Sequence, residues 1–435
     1  MDRTPLRMLV AGLSVVILGG LSAHTIAHYD QAQLNSIEID SYSPSPVPDR
    51  IILSLVGDPA TEMGVNWRTD NNAEVPLAQI AISDGSPSQA DRATTITGST
   101  QTLNLEHYQS FHHSVHFTQL LPDTLYIYRV GDGQIWSEWM QFRTAKSEVA
   151  PFSFIYLGDA QNDLKSRWSR VIRQAYSDMP KADFILHAGD LVNDANNDQE
   201  WGQWFYSAGW INGSIPSIAT PGNHEYDDNQ LSSQWRPHFS FPTNGPESDQ
   251  LSETVYFLDY QGVRFISLDT ASMDSDPLVS TLQQSLWLEQ VLKHNPNLWT
   301  VIFHHHPMRA ATASRTGHIL LNLFFRQIYE RYNVDLVLQG HDHAYARGQS
   351  LSLFGKWGGR QSPVYVVSVS GPKMYEGGAT WPKVRARDTQ LYQLIDIAEN
   401  TLNYRAYRAD GVLYDQFKIE KDDSGQRTVT NMIPN

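Results

Sequence analysis

The chain has 435 residues, enough for two or three domains at roughly 100–200 residues each. Hydrophobic residues make up 41% and charged residues 18%, so a sizeable core can form and a wholly disordered chain is excluded. A net charge of −15 sets the surface against a phosphate backbone and argues against a dedicated nucleic-acid binder. With no cysteine, neither a disulfide nor a thiolate metal site exists, whereas 16 histidines leave imidazole sites open.

Arg3 and Arg7 precede an uncharged apolar run from Met8 to Ala23, shorter than the ~20 residues of a comfortable membrane span. Residues 1–27 therefore read as an export signal or an uncleaved membrane anchor, and the product as secreted, periplasmic or tethered. Residues 28–48 read as a linker, with Ser43-Pro44-Ser45-Pro46-Val47-Pro48 favouring extended chain. From 49 to 146 short apolar or alternating runs are divided by turn signals such as Asp84-Gly85 and Asp132-Gly133. Tyr126, just after Pro122-Asp123-Thr124, fits a tyrosine corner, and the segment predicts a fibronectin type III-like β-sandwich.

After Pro151 strand-like runs alternate with helix-like ones, the α/β pattern, over residues 150–388. Strands are predicted at Phe152–Leu157, Asp183–His187, Ile215–Ala219, Val263–Leu268, Trp299–Phe303, Leu336–Leu338 and Val364–Val369. Helices are predicted at Asp163–Ser177, Glu200–Ala208, Leu278–Lys293 and His318–Tyr332. Residues 389–435 predict two or three hairpin-linked strands packed on this domain.

Five of the α/β strands run into a polar tip: Gly158-Asp159-Ala160-Gln161, Gly189-Asp190, Gly222-Asn223-His224-Glu225, His304-His305-His306-Pro307 and Gly340-His341-Asp342-His343. In open α/β sheets the site lies beyond the carboxyl ends of the strands, so tips distant in sequence meet in space. Two Asp, one Asn and three or more His form an oxygen–nitrogen ligand set for divalent ions. One carboxylate can bridge two cations, which together hold a hydroxide for in-line attack on phosphorus. A binding module with a decayed site would have lost ligands, and a mononuclear metal hydrolase would leave Asp159, Asp190 and Asn223 without a reason.

The order Gly-Asp, Gly-Asp, Gly-Asn-His-Glu, His-x-Pro, Gly-His-x-His resembles that of the calcineurin-like metallophosphoesterases, and within them the purple acid phosphatases. The resemblance implies a four-layer α/β/β/α catalytic domain behind the sandwich and an acid phosphatase-like hydrolysis of phosphomonoesters, with diesters the alternative. It implies two divalent ions, Zn, Mn or Fe, of unspecified identity. Asp159 would bind the first, Asp190 both, Asn223 the second, His341 the second and His343 the first. The His-x-Pro count selects His305 as the remaining ligand, while a count from Val301 selects His304; we take His305. His224 matches a phosphate-contacting histidine, and His318, which opens a helix, is a further candidate for substrate or leaving-group contact. The expected partner is a small phosphorylated substrate, with any membrane contact through the N-terminal segment. Two positions depart from the purple pattern: Asn193 stands where a metal-binding Tyr is usual, and Gln161 replaces a Gly, either to reach the metal or to cap a turn.

Overall fold

A computed structural model describes residues 41–70, 75–349 and 361–432. The apolar run and most of the linker fall outside the described residues, and the export reading with them.

The first domain is a sandwich of two four-stranded sheets. One sheet orders Asp49–Ser54, Met63–Thr69, Gln109–Phe117 and Ser99–Asn104; the other orders Thr94–Thr97, Leu77–Ile82, Leu125–Gly131 and Met140–Arg143. Phe117 of one sheet meets Tyr128 and Phe142 of the other with ring centroids 6.1 and 6.2 Å apart. The Tyr126 hydroxyl accepts the Leu121 N–H at 2.8 Å, which closes the tyrosine corner. Thr94–Thr97 and Ser99–Asn104 are strands the sequence reading omits. They are mostly exposed, and with Thr, Ser and Gln on both faces they show no apolar alternation.

Met63–Thr69 is buried at every position, on both faces. One face fills the sandwich core and the other meets the second domain, because the two domains share a sheet. Asp49–Ser54 pairs in parallel with Ser217–Ala219 at Ser54 and Ser217, and the Leu53 N–H donates to Asn212 O at 2.9 Å. A single eleven-stranded sheet thus runs from the sandwich through Ser217–Ala219, Phe184–His187 and Phe152–Leu157 into the C-terminal strands. Those strands, Leu391–Ala398, Thr401–Arg408, Leu413–Lys421 and Arg427–Asn431, extend the sheet edge-on rather than packing against it. The fourth, polar and half exposed, is a further addition to the predicted set.

A second sheet of seven strands lies against the first. Its parallel centre is Val263–Ser267, Trp299–Phe303, Leu336–Gln339 and Val364–Val367. Phe265 seals the two sheets together, 5.4 Å from Phe154 and 5.1 Å from Phe184. Ser169–Asp178 and Asp198–Ala208 cover the first sheet, and Val279–Lys293 and Arg326–Arg331 the second, which gives the four layers α/β/β/α. Two of the predicted helices open on a π-helical turn, at Leu164–Trp168 and Leu321–Phe325.

A buried ion cluster locks the domains. Asp198, on a catalytic-domain helix, takes Arg50 at 2.7 Å and Arg68 at 3.1 Å from the sandwich, and Arg68 also holds Asp49 at 2.7 Å. The Tyr108 hydroxyl donates to Asp198 as well. Burial alone would raise the Asp198 pKa; Arg50, Arg68 and the Tyr108 hydrogen bond outweigh it and hold it at about 2. A depressed carboxyl stabilises the fold fully above its unfolded value near pH 4, and that contribution drains away as the pH falls toward 2. Asp198→Asn is expected to cost about 3–5 kcal/mol at neutral pH, since it leaves the buried Arg50 without a carboxylate partner and takes one of two from Arg68. Urea titrations should show this difference from the wild type shrinking below about pH 4; a difference independent of pH would assign the loss to packing.

Candidate metal centre

The parallel strands of both sheets end at one edge, and the five polar tips meet there. Four of the residues they present sit in left-handed backbone: Asp159 (φ 45), Asp190 (φ 52), His341 (φ 74) and His343 (φ 42). Such conformations cost of order 1–3 kcal/mol each for a non-glycine residue and persist only where the surroundings impose them. Glu225 supplies part of that constraint. Its buried carboxylate accepts the N–H of Asp190 at 2.8 Å, of Leu191 at 2.8 Å and of Gly222 at 2.7 Å. Glycine at 222 is also a steric need, because a Cβ there would lie 2.1 Å from Asp190 Oδ1.

Two donor groups share Asp190. In the first, Asp190, His305 and His341 converge with Asn223. His305 Nε2 is 3.1 Å from Asp190 Oδ2 and 3.2 Å from Asn223 Oδ1, and His341 Nδ1 is 2.9 Å from Asn223 Oδ1 and 3.2 Å from His305 Nε2. In the second, donor atoms of Asp159, Asp190 and His343 lie within 4.8 Å of one another. The far side of each ring fixes its tautomer: His305 Nδ1 donates to Ala188 O and His343 Nδ1 to Lys373 O, both at 3.0 Å. That leaves each Nε2 turned toward the carboxylates, the arrangement of metal-ligating histidines.

The charges ask for a cation. Burial opposes ionisation of His305, yet Asp190 and Asp159 outweigh it and hold its pKa up at about 9. Burial holds the His343 pKa down at about 3 and also lowers that of His341. One oxygen of Asp159 accepts the His341 N–H at 2.7 Å, while the other is buried without a hydrogen-bond partner. Two lone-pair-bearing imidazoles, an amide oxygen and two buried carboxylates form a donor set that fits divalent ions.

Gln161 lies inside this set. Its amide nitrogen is 2.6 Å from Asp190 Oδ2 and 3.2 Å from His343 Nε2, and its oxygen is buried without a partner. His224 donates its backbone N–H to Asp190 Oδ1 at 3.0 Å, and its Nδ1 donates to Asn193 O at 2.6 Å, which leaves Nε2 free. Asn193 turns its side chain to Asn162, accepting from Nδ2 at 3.0 Å. His318 is engaged at both ring nitrogens, by Leu321 N–H at 3.4 Å and by Asp274 at 3.1 Å. Asp274 also meets His306 at 3.3 Å, and the His306 ring packs 4.4 Å from His341. His304 faces the other way, against Tyr329 in the core behind the second sheet.

The histidines of the sandwich lie elsewhere: His112 packs 4.9 Å from His238 at the domain interface, and His113 bonds Thr69 and Thr100. Trp201 and Trp204 are buried, and Trp210, 56% exposed, packs its ring 5.0 Å from Tyr176. Sequence reasoning gave no role to Glu225, although it stands in the third tip, and none to Asp274 or Tyr375. The Tyr375 ring packs 4.7 Å from His343, and no local pattern marks either residue.

Two family models match in succession: the purple acid phosphatase N-terminal domain over residues 48–144 and the calcineurin-like phosphoesterase over residues 152–345. The chain is 26% identical over 342 residues to human (Homo sapiens) acid phosphatase type 7, covering 70% of this chain and 72% of that protein. It is 25% identical over 390 residues to a probable purple acid phosphatase of Arabidopsis thaliana, covering 85% of each. Among solved structures, the purple acid phosphatase isolated from yellow lupin (Lupinus luteus) seeds superposes with a TM-score of 0.72 at 16% identity, over 87% of this chain and 75% of that one.

Replacing His305 removes a nitrogen from the donor set, whereas replacing His304 empties core space. His305→Ala is expected to weaken zinc binding, read by competition with a chromophoric chelator, about tenfold or more. His304→Ala should leave that affinity nearly unchanged and lower stability by about 1–3 kcal/mol. The reverse pattern would move the ligand to His304.

Proposed function

We propose a two-metal site for this chain, which belongs to the calcineurin-like phosphoesterases, in their purple acid phosphatase-like branch, and is a metal-dependent phosphoric ester hydrolase. The observation that carries the proposal is that Asp190 belongs to both donor groups. Asp159, His343 and Asp190 hold one ion; Asp190, Asn223, His305 and His341 hold the other. Turning the Gln161 amide about its last torsion places its oxygen among the acceptors of Asp190 and His343, so Gln161 is a candidate addition to the first set. When bound, such a pair supplies Lewis acidity toward phosphoryl oxygen and an activated water.

The protein's own groups do the rest. His224, its Nδ1 proton committed to Asn193 O, presents Nε2 for a phosphate oxygen or for proton delivery to the leaving group. His318, with both nitrogens engaged, is given a supporting part: with Asp274 it braces His306, which packs on His341. Left-handed backbone at four positions, held by buried hydrogen bonds, keeps the donors in place before substrate arrives. The substrate is a small phosphomonoester, with diesters the alternative, and the net charge of −15 disfavours nucleic acid. Export is our reading of the basic and apolar N-terminal run. Among the described residues no helix is long and apolar enough to cross a membrane.

The test is hydrolysis of p-nitrophenyl phosphate and of bis(p-nitrophenyl) phosphate after reconstitution with Zn, Mn or Fe(II), from acid to neutral pH. Asp190→Ala should abolish both activities while leaving the circular dichroism spectrum intact. More than about a tenth of wild-type activity at saturating metal would remove the shared-carboxylate reading.

A further outcome concerns colour. Two carboxylates without a phenolate offer little charge to a ferric ion in a buried site, so two divalent ions are expected and the active protein should be colourless. Tyr375, in ring contact with His343, is the tyrosine placed to overturn this. A visible charge-transfer band in the active protein, lost in Tyr375→Phe, would show a tyrosinate on the first ion.

A further inference from the structure

Behind the segment that flanks the first donor group lies a cavity of about 1370 Å³. That volume exceeds the usual ~300–1000 Å³ of a small-molecule site and has room for several phosphoryl groups. Five arginines line it: Arg167, Arg170, Arg385, Arg387 and Arg408. The acidic residues on its walls are Glu376, Asp388 and Asp410, so the lining is positive on a chain that is strongly negative. Arg167 is paired with Asp163 at 3.4 Å and Arg408 with Asp410. The other three have no carboxylate partner among the described residues. Arg170 donates to the Gln390 amide oxygen at 2.7 Å, Arg385 donates to Ala379 O at 2.9 Å, and Arg387 is exposed. Like charges gathered on one concave wall repel one another, and an anion between them relieves the repulsion; planar guanidinium groups suit phosphate in two-pronged contacts.

The cavity and the candidate metal centre share a wall. The Gly371 N–H donates to Asp159 O at 2.7 Å, Lys373 O accepts from His343 Nδ1 at 3.0 Å, and the Tyr375 N–H donates to His343 O at 3.0 Å. Pro372, Met374 and Glu376, the alternate residues of the same segment, line the cavity. One extended stretch thus meets the donor set with one set of residues and the arginine cavity with the other. Arg315, stacked 4.7 Å over Tyr375 beside that stretch, is already paired with Asp342 at 3.2 Å.

We infer that this cavity is a binding site for phosphate-bearing anions, and that one source of them is the distal phosphoryl group of a polyphosphorylated substrate that reaches round the 371–376 segment from a scissile phosphate at the metals. The second half of the statement rests on the two-metal phosphoesterase reading; the first half does not. The other source of the same chemistry is a free anion such as inorganic phosphate.

Two arms separate these. In binding, the full chain carrying Asp190→Ala, which cannot turn substrate over, is titrated with inorganic tripolyphosphate by calorimetry. Binding is expected, weakened about tenfold or more by Arg170→Ala/Arg387→Ala. The single change Arg387→Glu, at an exposed residue, checks the same point should the double variant fold poorly. In kinetics, the otherwise wild-type metal-loaded enzyme is compared with the same arginine variants. A tenfold or greater rise in KM for tripolyphosphate, with KM for p-nitrophenyl phosphate within about twofold, assigns the site to the distal group of the substrate. Weakened binding of tripolyphosphate and of inorganic phosphate with both KM values unchanged assigns it to a free anion and overturns the distal-group role. Tripolyphosphate binding that is absent, or indifferent to both arginine variants, overturns the site altogether. If the wild type hydrolyses neither substrate while the binding arm holds, the two-metal reading fails and the anion site stands.

Discussion

Two carboxylates buried within one loop cluster set the terms for the rest of this molecule. Asp159 and Asp190 have almost no contact with solvent. Taking each out of water costs several kcal/mol unless positive charge and hydrogen bonds compensate. The protein supplies N–H groups from His341 and His224, and the ring of His305. Yet one Asp159 oxygen is left without a partner, and imidazole Nε2 atoms face the same space. A cation completes this arrangement, and its affinity becomes part of the stability of the loops around it. Four left-handed residues and glycines that tolerate no Cβ are the backbone consequence, because carboxylates and imidazoles from five strand ends have to reach one point.

The same demand, to bury charge only when it is matched, shapes the domain interface. Asp198 is compensated by Arg50, Arg68 and Tyr108, and no oxygen of it lacks a partner. The continuity of the sheet across Ser54 and Ser217 brings these groups into register. Sandwich and catalytic domain therefore form one hydrogen-bonded structure, and the third polar tip, which follows Ser217–Ala219, is positioned by a strand that also pairs with the sandwich. The contrast between the two clusters is informative. The carboxylate of the interface cluster is matched at both oxygens, whereas the cluster at the strand ends leaves an Asp159 oxygen unmatched and the cavity beside it holds three arginines without a carboxylate partner among the described residues.

What the sequence determined by itself follows from local periodicity. Runs such as Phe152–Leu157 and Trp299–Phe303 are apolar at all but one position because they are covered on both faces, and each is followed by a polar tip that only a strand end can present together with the others. The alternation of strands and helices, the sandwich with its Tyr126 corner and the grouping of the five tips were legible on that basis, whereas the four-layer α/β/β/α order followed from the family resemblance. Edge strands such as Ser99–Asn104 were not, since a strand that buries little needs no apolar alternation. Tertiary structure alone decided the rest. It turned His305 toward Asp190 and His304 toward Tyr329, a choice between adjacent residues that the direction of the strand end makes. It also gave Glu225 four N–H groups to hold and gathered Arg170, Arg385 and Arg387 around one cavity from segments more than 200 residues apart. Contacts of that kind arise from how strands are ordered in the sheets, and no local window of sequence carries that order.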